Sequence, residues 1–367
     1  MEKLSRPDWE EKRKVTVVTV RGLHPESAEL LRRVFLGETM HWPVNETAQE
    51  MFSEEIFFQD VVSQGMAPLL FRKLAGELAG EPGTTWPQSL VQRLRELAFQ
   101  QSAVEMVAEL DLRQLLATFA DRGITPLLLK GTPLSYTLYP EPGLRPRCDT
   151  DLLILAQDRE KTTSLMQESG YAPLHEAQVD YINTQMSYAR NSAQGVRCCY
   201  DIHWQVSNCN RQFSQEFANG KIFEKAQDIP VLGENARTLN KVDALIFACF
   251  HRAGHFSHSG DRLIWLYDIH LLCQALTEQE GLIFSQRIKE LQIISLCVDA
   301  LKTTQSWFST VCPESLQDIL YEKNTSANTQ EDFAYLLGSS RSDGIKQQAL
   351  LELQGLPTWK KRVLYLL

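Results

Sequence analysis

Basic residues are in short supply in this 367-residue chain: 37 Lys and Arg stand against 46 Asp and Glu, a formal net charge of −9. A surface so weighted does not track long nucleic acid or an anionic membrane, because those partners demand clustered positive charge. A small anionic ligand held in a local pocket stays compatible with it. No apolar run approaches the roughly 20 residues that span a bilayer, so no membrane span is expected. None of the eight cysteines falls in a CxxC pair, which removes zinc ribbons and thioredoxin-like redox chemistry. The segment from Met1 to Lys14 is charged and lacks the apolar core of a secretory signal. Several cysteines sit inside apolar segments, where a free thiol packs as a small hydrophobe. Together these absences predict a reduced, cytoplasmic protein.

What is present is ordinary globular material, 43% hydrophobic and 23% charged. At roughly 100–200 residues per domain, the length suggests two or three structural units. From Pro25 to about Gln101 the pattern is helical, with Pro82-Gly83 as a break. Val104, Ala108, Leu112, Leu115, Leu116 and Phe119 then share one face of a long helix, and Gly123 stands where a C-terminal cap glycine belongs. At Ile124 the texture changes. Ile124 to Leu129 reads as a short buried strand, Pro133 to Tyr139 as a short helix, and Asp149 to Leu155 as a strand with an acidic start. Asp158 to Ser169 reads as a helix ended by Gly170, and Tyr200 to Trp204 as a second acid-bearing strand. Beyond Leu239 helices return over Val242–His255, over Asp261–Leu276 with Asp261 as N-cap, and through Leu282–Phe308. The expected fold class is α+β: a small mixed-sheet core (107–232) flanked by an N-terminal helical region (1–106) and a C-terminal one (233–367).

The chemistry concentrates in three short segments. On a strand, Asp149 and Asp151 point the same way and Thr150 the other. Two carboxylates so placed repel each other unless a cation sits between them, and hard oxygen ligands suit Mg²⁺ or Mn²⁺. Asp201, from the second acidic strand, would complete a metal site able to stabilise both the attacking and the leaving oxygen at phosphorus. Gly131 and Thr132, just after a strand, offer backbone N–H groups and a hydroxyl to phosphate. Lys130 adds a point charge, and Arg145 or Arg147 a forked donor. His203 shares a strand face with Asp201, as a possible substrate contact or as a packed, hydrogen-bonded histidine. His251 and His255 lie one helical turn apart, a spacing that can bind zinc. The glutamate of HExxH is missing and Gly254 weakens a helix there, so a zinc hydrolase is the lesser reading beside a role for His251 or His255 in contacting substrate. Trp265 and Tyr267 read as core.

The segments LLLKGTPLSYTLY, RPRCDTDLLI and YDIHW, in that order, resemble the nucleotidyltransferases of the DNA polymerase β-like superfamily. More narrowly, they resemble the uncharacterised nucleotidyltransferase family, with its LKG, G-x-R-x-x-x-D-x-D and D-x-H-W segments. The run Arg262 to Asp268 also looks like that family's helical segment. The resemblance touches most of the span from about 60 to 275 and implies a polymerase β-like core. It implies metal binding by Asp149 and Asp151, with Asp201 as third ligand and activator of an acceptor hydroxyl. Gly131 and Thr132 would hold the triphosphate; Thr132 stands where the superfamily usually has serine, and it keeps the hydroxyl. The implied activity is Mg²⁺-dependent transfer of a nucleoside monophosphate from an NTP to a hydroxyl of a small molecule or protein. The alternative of another class is a non-catalytic nucleotide-binding or interaction module on the same fold.

Overall fold

The computed structural model describes residues 20, 22–38, 42–43, 52–77, 86–174, 185–205, 221–256 and 261–321, the side chains at 255 and 256 excepted. Local chemistry sets its helices. In α1 (Pro25–Phe35) the proline occupies the first turn, the His24 side chain accepts from the Glu26 N–H, and Arg32 and Arg33 face the negative C-terminal end. In α2 (Glu54–Ser63) Ser53 caps by accepting from the Ile56 N–H. After α3 (Ala67–Arg72) comes α4 (Gln88–Asp121), whose 34 residues make a rod about 50 Å long. The rod ends in a paired cap: the Gly123 N–H returns to the Ala120 carbonyl and the Ile124 N–H to that of Phe119, with Gly123 at φ +66°.

That cap explains why the first strand is shorter than the Ile124–Leu129 run suggests. The Ile124 amide is spent on the helix end and Pro126 has none to give, so β1 spans only Leu127–Leu129. After it come α5 (Gly131–Thr137), β2 (Thr150–Leu153), α6 (Arg159–Glu168), β3 (Ala172–Pro173), β4 (Gln185–Asn191) and β5 (Arg197–His203). Then follow α7 (Lys221–Glu224), β6 (Gln227–Asp228), β7 (Arg237–Thr238), α8 (Lys241–Phe256) and α9 (Leu263–Ala275). Last are α10 (Glu278–Glu290), α11 (Ile294–Phe308) and α12 (Gln317–Tyr321). The strands form one seven-stranded mixed sheet in the order β3-β4-β5-β2-β1-β7-β6. In it β2 runs antiparallel to β1 and parallel to β5.

Two expectations about helix limits need correction. Leu282–Phe308 is not one helix: Gln292 adopts a left-handed backbone (φ 57°) between the end of α10 at Glu290 and the start of α11 at Ile294. Asp261 does not cap α9. Its carboxylate is taken by Arg252, while the Gln64 side chain, far away in sequence, accepts from the Leu263 N–H at 2.9 Å.

The alternation of side chains sorts the sheet into two faces. Leu128, Leu152, Tyr200 and Ile202 pack on one side beneath Leu112, Leu115, Leu116 and Phe119 of α4 and Leu165 and Met166 of α6. Leu127, Leu129 and Leu153 point to the other side. There they join a larger core in which residues of α1–α4 and of α8–α11 pack together. Asp151 alternates with Leu152, and Asp201 and His203 register against Asp151 and Leu153. All three therefore lie on the face turned toward the helical layer.

Candidate active site

Strand register builds the centre of the site. Parallel pairing of β2 with β5 sets Asp151 opposite Asp201, and antiparallel pairing with β1 sets Asp151 opposite Leu129, the residue before Lys130. One carboxylate oxygen, Oδ1 of Asp151, accepts from Lys130 Nζ at 2.6 Å and meets His203 Nε2 at 2.8 Å. Gln185, opposite His203 on β4, donates to Asp201 Oδ2 at 3.2 Å. Ligand atoms of Asp151, Asp201 and His203 all lie within 4.8 Å of one another, close enough to hold one metal ion. Among the described residues this is the one such group, and it includes His203, which the sequence offered only as a substrate contact or a packed histidine.

The electrostatics divide the two acids of the DxD segment. Burial alone would raise Asp151, which is 3% exposed, yet the Lys130 ammonium and the His203 hydrogen bond hold its carboxyl far below the usual range. Asp149 stands just before β2 with an exposed side. Partial desolvation, and then the charges of Asp151 and Asp201, push it up against the opposing pull of Lys130 and Arg147. Asp149 thus lies within the field of the other two acids and is the one most readily relieved by an added cation.

Lys130 links strand to helix in a backbone state (φ 58°, ψ −132°) that side chains with a Cβ rarely adopt. Next to it, a Cβ on Gly131 would come within 2.5 Å of the Arg145 guanidinium carbon, so the glycine makes room for that arginine. Thr132 is buried beneath the same turn. Arg145 itself is buried. Its Nη2 and Nε donate to the two oxygens of Asp268 at 2.6 and 3.2 Å, and Nη1 donates to the Pro146 carbonyl. Tyr139 donates to Asp268 as well. Arg147 donates to Glu105 at 2.8 Å and to the Thr150 hydroxyl, and Glu105 also receives the Tyr136 hydroxyl. The two arginines thus brace the loop that leads into β2, one from the helical layer and one from α4.

A narrow crevice opens beside Lys130, between α5, β7, α8 and α9. Arg145, His251, Trp265 and Asp268 line it together with the apolar Pro133, Leu134 and Phe247. His251 meets the Trp265 ring edge-on, at 5.2 Å between centroids. The His255 side chain lies outside the described residues. Asp268, Glu105 and Gln185 are the members of this constellation that sequence reasoning missed. Asp268 lay in a run already noted for its resemblance, but no local spacing ties it to Arg145, 123 residues away.

Residues 55–309 match the model of a protein family described as "Uncharacterised nucleotidyltransferase". No curated protein matches the chain.

Proposed function

This chain belongs to the uncharacterised nucleotidyltransferase family, and on that premise we propose that it transfers a nucleoside monophosphate from an NTP to a hydroxyl of a small molecule or a protein, with release of pyrophosphate. The observation that carries this reading is the meeting of Asp151, Asp201 and His203 on one face of two parallel strands. The two carboxylates, with Asp149 beside them, fit Mg²⁺ or Mn²⁺, and the His203 nitrogen, a poor ligand for Mg²⁺, is engaged with Asp151 instead. Asp149, Asp151 and Asp201 would hold the ion, which when bound offsets the negative charge that builds on the phosphates during transfer.

The chain's own groups supply the rest. Asp201 accepts the proton of the acceptor hydroxyl as its oxygen attacks the α-phosphorus. The bond from that phosphorus to the bridging oxygen breaks, and pyrophosphate carries away the electron pair. His203 fixes Asp151 in place. Lys130, Gly131 and Thr132 meet the phosphates, and Arg145 and Arg147 hold the loop that presents the DxD segment. His251 lines the crevice beside Lys130, where it would contact the phosphates, with His255 one turn further along the same helix. The catalytic core is assigned to 107–232, and the setting to the cytoplasm.

The test is incubation of the purified protein with each α-labelled NTP in Mg²⁺ or Mn²⁺, followed by assay of pyrophosphate and of label on protein or on added small molecules. Asp151→Asn and Asp201→Asn are each expected to lower turnover by about 100-fold or more, in line with loss of transition-state charge stabilisation. Transfer that survives both substitutions would refute the assignment.

A further inference from the structure

Lys130 belongs both to the carboxylate cluster and to the crevice beside it. Its ammonium and the His203 ring together use both acceptor directions of Asp151 Oδ1, at 2.6 and 2.8 Å. The carboxylate they hold is buried, with a side-chain exposure of 5%, whereas the Lys130 side chain keeps 24%. From these contacts we infer that Lys130 is the resident cation of the Asp151–Asp201–His203 site, and that a divalent ion settles there by displacing the ammonium into the crevice, toward the phosphates of a nucleotide. This rests on the metal-dependent reading above and adds the order in which positive charge occupies the site.

Three further observations support it. An ammonium and a dication crowded on one buried carboxylate disfavour each other, because like charges a few ångströms apart repel strongly where water screens them poorly. The backbone at Lys130 is held in a conformation that glycine adopts freely and lysine at a cost, so what the position gains from lysine is its side chain. Among the described residues lining the crevice the other strong cation is Arg145, and it is bound through both terminal nitrogens and Nε to Asp268 and the Pro146 carbonyl. A phosphate arriving there would meet Lys130 in a wall it shares with the apolar Pro133, Leu134 and Trp265.

Binding measurements decide it without any activity assay. Mn²⁺ is titrated into the full-length protein and free Mn²⁺ is read by electron paramagnetic resonance, for wild type, Lys130→Met, Lys130→Gly and Lys130→Arg. Pyrophosphate affinity is then measured in saturating Mn²⁺. Removing the ammonium is expected to tighten Mn²⁺ binding on the order of tenfold, the effect of losing one close like charge, and to weaken pyrophosphate several-fold. Lys130→Arg should stay near wild type in Mn²⁺. A lysine that merely packs would not move the two affinities in opposite directions. Lys130→Gly, which suits the backbone, gives the same comparison should the methionine variant fail to fold. Equal Mn²⁺ affinity in wild type and the neutral variants overturns the displacement while leaving the metal site standing. Failure of every variant to bind Mn²⁺ overturns both.

Discussion

At Gly131 a single hydrogen decides whether two functional segments can meet. The Arg145 guanidinium occupies the volume a methyl would need, and Asp268 holds it from the far side, so the arginine cannot swing clear. Gly131→Ala is therefore expected to destabilise the fold by about 1–3 kcal/mol through overpacking, measured by urea denaturation, with no change in the slope of the transition. The acidic core of the site was legible at this scale. The sequence places Asp149 and Asp151 two apart at a strand start and Asp201 on a second strand; the structure pairs Asp151 with Asp201 and leaves Asp149 just before β2. The engagements of Arg145 and Arg147 were not legible, because Asp268 and Glu105 lie on other elements and no local pattern points to them. His270 supplies a second residue-scale test. Burial, with the Lys73 charge adding to it, pushes its pKa down to about 4 from the usual 6.5. Because the unfolded chain binds this proton more readily, the contribution is fully present above pH 6.5 and is lost as pH falls from there toward 4. The loss is up to about 1.4 kcal/mol per pH unit. Denaturation midpoints of wild type and His270→Gln across that window should converge toward the acid end.

At the scale of elements, helices begin and end where backbone amides find partners, and some of those partners are remote. The Gly123 cap is visible in the sequence because both its donors and its acceptors are local. The start of α9 is not. Its first amide, at the fully buried Leu263, is satisfied by Gln64, 199 residues earlier, and the Gln64 carbonyl also takes the Ile264 N–H. Asp261 offered the expected local cap but is committed to Arg252, whose guanidinium also reaches Asp299. Gln64→Ala should leave the Leu263 amide unsatisfied in the core, at a cost of about 1–3 kcal/mol. Hydrogen exchange at the first turn of α9 is the direct readout, since a merely global loss would raise exchange evenly. The break at Gln292 has the same lesson. The apolar pattern runs on through it, and only the backbone turn separates α10 from α11.

Across the whole molecule, the sheet is read correctly as a small mixed α+β unit, but the helices on its acidic face come from both ends of the chain and share one core. Periodicity shows which side of a helix is apolar and not which other helix covers it, so this union had no signature in the sequence. Arg145–Asp268 is its charged counterpart, tying the loop before β2 to α9 with side-chain exposures of 8% and 6%. Truncating one partner, as in Asp268→Ala, strands a buried charge and should cost about 3–5 kcal/mol, whereas Arg145→Met combined with Asp268→Leu should cost markedly less. A double-mutant cycle by chemical denaturation measures the difference. The shared core has a practical corollary for anyone preparing a minimal version of this protein. A piece cut at residue 232 would strip the lid from Leu127, Leu129 and Leu153 and leave Arg145 without its counter-ion, so the shortest workable fragment has to run through α9 and carry the early helices with it.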